Sequence, residues 1–140
     1  MNPFEAYDTA LWGILVILGT LLLQLLIASV TKAKQPGAIP GKMDPDLGHA
    51  SFVFRSNRTF MNSVENAPAM LGTALLAVLV GASTTWTAAL VWTYALARIA
   101  HMILYYAIAT DVNPSPRSYF FLLGFAANIA LLGFVAVALA

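Results

Sequence analysis

Two sets of polar residues stand at helical spacing inside otherwise apolar sequence. Arg58, Asn62 and Glu65 are separated by four and three residues; Tyr94, Arg98, His101 and Tyr105 by four, three and four. At 3.6 residues per turn each set falls on one face of a helix, the first within a wedge of about 60° over about 10 Å of rise. The side chains are cations, one carboxylate, an amide and phenols. That mixture suits a small ligand carrying carboxylates and an amine, because guanidinium groups grip carboxylates and a carboxylate grips an ammonium group. Pro68 adds an irregularity, since it cannot donate to the Val64 carbonyl and frees an acceptor one turn from Asn62 and Glu65.

The elements that position these groups must be helices in lipid. Of the 140 residues, 7 are Lys or Arg and 6 are Asp or Glu, so 9% are charged and 60% are hydrophobic. Ordinary soluble domains carry about 25% charge, and a soluble chain this short could not cover its surface with so little. The length bounds the chain to one domain, 1–140. Cysteine is absent, which excludes disulfides, zinc–thiolate sites and Cys nucleophiles.

A bilayer core about 30 Å thick needs about 20 apolar residues per helix. Four runs meet this, and the expected helices cover about 9–31, 58–81, 86–109 and 118–139. The fold class is therefore an all-α integral membrane protein, a four-helix up-down transmembrane bundle. Gln24 and Asn128 read as helix-packing residues. A cleaved signal peptide is disfavoured for the first run, because Met1 to Tyr7 holds Glu5 and no Lys or Arg. The short link 81–85 forces an antiparallel hairpin. The link 32–57 is long and rich in Gly and Pro, and 110–118, with Pro114 and Pro116, is an irregular turn.

Charge placement gives the orientation. Lys32, Lys34, Lys42, Arg55 and Arg58 lie in or beside the first loop and Arg117 in the third. The positive-inside rule puts both loops in the cytoplasm and both termini outside, and Trp12, Trp86 and Trp92 fall toward the outer ends. The two polar stripes then meet in the cytoplasmic half, with Glu65 and Arg98 at similar depth and placed for an ion pair. A lone charge at mid-helix costs about 2.5–3.5 kcal/mol, part of which pairing recovers. The pair alone reads equally well as helix packing, and His101 alone reads better as a hydrogen-bonded packing residue. Seven polar groups converging on one aqueous-facing end read better as a binding site.

The residues also carry a resemblance. The segment Arg58-Thr59-Phe60-Met61-Asn62-Ser63-Val64-Glu65-Asn66-Ala67-Pro68 resembles the R-x-x-x-N-x-x-E-x-x-P signature of the MAPEG family, the membrane-associated proteins in eicosanoid and glutathione metabolism. Ala97-Arg98-Ile99-Ala100-His101, followed by Tyr105, is similar to the family's A-R-x-x-H-x-x-x-Y, and Pro116-Arg117-Ser118 resembles the basic start of its fourth helix. The likeness is nearest to the microsomal glutathione transferase and prostaglandin E synthase branches. It implies a homotrimer that binds glutathione, as co-substrate, at the cytoplasmic side between neighbouring subunits. Carried over by position, Lys32, Arg58, Asn62, Glu65, His101 and Tyr105 would contact glutathione. Arg117 and Ser118 would be catalytic, and Arg98 would be the buried partner of Glu65. Lys32 stands where the family has a basic residue ending the first helix, without the bidentate grip of arginine. Arg117 follows Tyr105 by twelve residues, longer than the resemblance leads one to expect; the extra length would extend helix three or change how Arg117 approaches the thiol.

The chemistry is consistent with the residues. A thiol attacks as thiolate, and bringing its pKa from about 8.5 to about 6.5 takes about 2.7 kcal/mol. One charge-assisted hydrogen bond supplies about 1.5–3 kcal/mol, and Arg117, with Ser118 at a helix N-terminus, is the right kind of donor. The second substrate would be a lipophilic electrophile or lipid hydroperoxide arriving from the bilayer. The expectation is a membrane-bound glutathione-dependent transferase/peroxidase. A non-catalytic lipid-binding scaffold of the same fold is the alternative. A small multidrug transporter of dual topology would need balanced loop charge, and a channel would need a polar stripe through the full thickness. No metal-ligand spacing joins His49 to His101, and no nucleic-acid signature is present. The expected partners are other copies of the chain, membrane lipid and the lipophilic substrate. Ala69, Gly72, Ala77 and Gly81 are expected to serve close helix packing.

Overall fold

The computed structural model describes residues 4–140; Met1–Pro3, part of the segment weighed above as a leader, lie outside it. A short turn, Glu5–Tyr7, leads into α1 (Asp8–Ala33), followed by α2 (Phe52–Leu79), α3 (Thr84–Ala107) and α4 (Pro116–Leu139). At 1.5 Å per residue the helices are about 36–42 Å long, enough to cross a bilayer core. Three of them, α1, α3 and α4, are apolar enough to span by composition alone. The first half of α2 carries Arg55, Arg58, Asn62, Glu65 and Asn66, which lowers its hydropathy. Every regular element among the described residues is helical, as a four-helix membrane bundle requires.

The largest difference from expectation is where α2 begins. It starts at Phe52, not near residue 58, and the preceding loop contracts from 32–57 to 34–51. Ser51 is in extended conformation and its Oγ accepts from the Phe54 N–H at 3.5 Å, an N-cap that stops fraying of the first turn. Arg55, Ser56 and Thr59 of those first turns are buried, and the Ser56 hydroxyl meets that of Thr31 in α1 at 3.0 Å. Hydropathy reads such a polar stretch as loop, whereas tertiary contacts make it helix. At the other end of the hairpin, Gly81 adopts φ +72°, a left-handed conformation that releases the chain from α2. Ser83 then caps α3 through its Oγ, which accepts from the Trp86 N–H at 3.4 Å.

Helices α2 and α3 form the centre: α1 packs on both from one side, and α4 packs on both from the other. Met70, Ala74, Ala77, Val91, Tyr94 and Leu131 are buried among them. The close approach is at Gly13, where a Cβ would lie 2.7 Å from Val91 Cγ1 and 3.3 Å from Trp92 Nε1, so α1 meets α3 without room for a methyl group. Ala77 is buried as expected, but Ala69 and Gly72 are exposed and Gly81 serves the turn. The narrow stripe Gly124, Ala127, Leu131 and Val135 is all that α4 buries; Leu132, Val137 and their neighbours face outward, as a lipid-facing surface should.

The hairpin end, which holds the α2–α3 turn and the start of α1, is stapled to the backbone. The Tyr7 hydroxyl donates to the Ala82 carbonyl, the Trp92 indole N–H donates to the Thr9 carbonyl at 2.8 Å, and Trp86 stacks on Phe134 with centroids 5.3 Å apart. Within α1, Gln24 is fully buried, and neither amide atom has a partner among the described residues. An unmatched buried amide costs about 1–3 kcal/mol. Gln24→Leu, of similar volume and apolar, should therefore raise the thermal midpoint of the detergent-solubilised protein; a lowered midpoint would show that the amide is matched after all.

Candidate functional site

At the opposite end, where the α1–α2 and α3–α4 loops lie, a cavity of about 440 Å³ opens between α2, α3 and the start of α4. Its lining includes Arg58, Asn62, His101, Tyr105, Arg117 and Ser118, with Asn113, Pro114, Phe121 and Leu122. Each reaches it for a local reason. The α3 stripe is buried at Tyr94, Arg98, His101 and Tyr105, one face of one helix. Pro116, whose missing N–H is no loss in the first turn, starts α4 so that Arg117 and Ser118 follow at once.

The polar groups are unequally satisfied. One guanidinium nitrogen of Arg117, Nη2, donates to the Thr110 carbonyl at 3.2 Å and lies 3.3 Å from His49 Nε2. The other, Nη1, is buried without a partner among the described residues, as is Nδ1 of His101. The Arg117 guanidinium also sits 4.0 Å above the centre of the Tyr105 ring, a cation–π contact that fixes its plane. Ser118 is engaged differently: its Oγ accepts the Ser115 N–H at 3.2 Å and lies 3.1 Å from Ser115 Oγ. The hydroxyl expected to act on a thiol thus closes a capping box at the head of α4.

Two expectations are corrected. Among the described residues no ion pair joins Glu65 to Arg98. Arg98 Nη2 donates instead to Asn62 Oδ1 at 2.7 Å and to Ser63 Oγ at 2.9 Å, while Glu65 is exposed. The cause is rotational: the wedge of Arg58, Asn62 and Glu65 is turned by about 120° from the buried stripe of α2, and only Asn62, at its edge, reaches α3. Lys32 also stands apart, lining a separate cavity of about 480 Å³ within the α1–α2 loop together with Gln35, Lys42 and Asp44. The long α3–α4 turn does not extend α3, which ends at Ala107; its extra residues supply the Thr110 carbonyl that holds Arg117.

His49 lies in the long Gly- and Pro-rich link, where nothing in the sequence marks it out, yet it is the junction of this end of the molecule. Its ring stacks on Tyr105 with centroids 5.8 Å apart and meets Phe54 edge-on at 5.1 Å. Nε2 lies 3.0 Å from the Tyr105 hydroxyl and Nδ1 2.5 Å from Asp111 Oδ1. Arg55, buried in the first turn of α2, clamps the loop by donating to the carbonyls of His49 at 2.6 Å and Ala50 at 3.0 Å, and to that of Tyr106 at 3.3 Å. The one signal in the sequence is Ser51 as an N-cap, which would have drawn α2 back to within three residues of His49.

Around one cavity the arrangement thus gathers a guanidinium arm and an imidazole nitrogen, both buried and unmatched among the described residues, and the exposed Arg58. A model of the MAPEG family matches residues 9–137, nearly the whole chain. No curated protein and no solved structure matches it.

Proposed function

The chain belongs to the MAPEG family, and on that premise we propose that it is a membrane-bound glutathione-dependent transferase, able also to reduce lipid hydroperoxides. Membership and the apolar helices make it an integral membrane protein. The observation that carries the finer reading is that Arg117 and His101, each with a buried nitrogen that lacks a partner among the described residues, line one cavity large enough for a small peptide. Arg58 binds a carboxylate, Asn62 and His101 bind the peptide groups, and Tyr105 closes the floor. Arg117 donates to the thiolate, and Ser118 sets the start of α4 so that Arg117 arrives there. The site faces the cytoplasm by the distribution of cations, and the lipophilic partner comes from the bilayer.

The reading includes assembly. Glu65 lies about 20 Å along α2 from its first residue, inside the span, and is exposed on the single chain. Facing lipid there would cost about 2.5–3.5 kcal/mol, so a second copy covers it in a homotrimer. Lys32, remote from the cavity of its own chain, then belongs to a neighbour's site.

Titrating the purified protein in detergent with glutathione, while following thiolate absorbance in the ultraviolet, tests the proposal. Saturable thiolate formation at neutral pH is the expected result. Binding without thiolate would make the protein a scaffold, and no binding would overturn the glutathione reading.

A further inference from the structure

From Tyr105, through His49 and Asp111, we infer a proton exit that carries the thiol proton from the cavity to water. The inference rests on the glutathione reading, and its geometry is independent of it. Tyr105 lines the cavity and is buried; the His49 side chain is 24% exposed and that of Asp111 86% exposed, so the three form a graded path from interior to solvent. The partners fix the tautomer. The Asp111 carboxylate accepts, so Nδ1 carries the hydrogen; the Arg117 guanidinium can only donate, so Nε2 is a bare acceptor, toward which the Tyr105 hydroxyl also points its hydrogen. Among the described residues the other charged group on His49 is Arg55, which holds its backbone carbonyl and not its ring.

The step balances. The thiol S–H proton passes to Tyr105 Oη as the Tyr105 hydroxyl proton passes to His49 Nε2, and both electrons of the S–H bond stay on sulfur. The imidazolium so formed is paired with Asp111 and loses one proton to water, restoring the neutral ring. One proton is released per thiolate.

A relay changes how fast the thiolate forms, not how much of it there is at equilibrium. In His49→Gln the amide can still donate to Asp111 and accept from Arg117, but it cannot carry a proton. Stopped-flow mixing of each full-length protein in detergent with glutathione, reading thiolate absorbance and a pH-indicator dye together, is the test. The wild-type chain should release one proton per thiolate. His49→Gln should reach the same final amplitude about a hundredfold more slowly, the lower range of general acid–base effects, and added imidazole should restore the rate in His49→Ala. An unchanged rate in His49→Gln would overturn the relay, as would amplitude and rate falling together without imidazole rescue, which would make His49 a support for Arg117 only. A wild-type chain that forms no thiolate would overturn the glutathione reading and the relay with it.

Discussion

Arg117→Ala loses the thiolate. The guanidinium is the cation of the cavity that has one arm anchored and one arm free: Nη2 is taken by Thr110 and His49, and Nη1 has no partner among the described residues. A charge-assisted hydrogen bond from that arm is worth about 1.5–3 kcal/mol to a thiolate, which corresponds at its upper end to about two pK units; a thiol returned from about 6.5 to about 8.5 has a thiolate population lower by about 25-fold at neutral pH. The same substitution removes hydrogen bonds that tether the α3–α4 turn, for which about 1–2 kcal/mol is the scale. The variant should therefore elute from size exclusion as the wild type does while its ultraviolet thiolate signal is absent. Arg117→Lys keeps the charge and loses the fork, and with it either the anchor or the ligand contact. A full signal in Arg117→Ala would remove Arg117 from the chemistry.

The second large effect is on stability and falls on Asn62. Arg98 is 4% exposed, and both of its hydrogen bonds run to neutral acceptors on α2, Asn62 Oδ1 and Ser63 Oγ. Asn62→Leu removes one of them and leaves a buried cation with a single partner. Hydrogen bonds to charged groups contribute about 1.5–3 kcal/mol, so a loss of that size should appear in chemical or thermal unfolding in detergent. Restoring the acceptor with Asn62→Asp should return most of it, because a carboxylate in the same place pairs with Arg98. Glu65→Gln should not cause a comparable loss of Arg98's bonding, since Glu65 does not touch it; an effect on association instead would fit Glu65 at a subunit boundary.

Those two residues also mark how far the sequence could be read. Period alone placed Tyr94, Arg98, His101 and Tyr105 on one face, and that face is buried, because one helix surface is all such a pattern describes. It could not say which of two adjoining wedges of α2 meets α3. Asn62 and Ser63 are neighbours in sequence about 100° apart around the helix, and the Arg98 guanidinium reaches both, whereas Glu65 is carried past the contact. His49 and Asp111 were out of reach for another reason. They lie 62 residues apart, each in a segment with no repeat to read, and they meet only because Arg55 folds the first loop onto the end of α3. The misplaced start of α2 hid this clamp, since polar residues buried against other polar residues have the hydropathy of a loop.

The unequal fastening of the two ends has a mechanical consequence. Around the hairpin end, the Trp92 indole on the Thr9 carbonyl ties α3 directly to α1; at the cavity, Arg117 ties the start of α4 only to loop groups, the Thr110 carbonyl and His49. The bundle is thus a lever whose fulcrum lies beside Ala82 and Thr9. Over an arm of about 30 Å, a tilt of about 2° moves the far end by about 1 Å. A tilt of α4 that hardly disturbs Trp86 on Phe134 therefore widens the gap beside Arg117 by a distance comparable to a hydrogen bond's tolerance, and a greasy molecule wedged between helices there would act directly on the grip of that guanidinium.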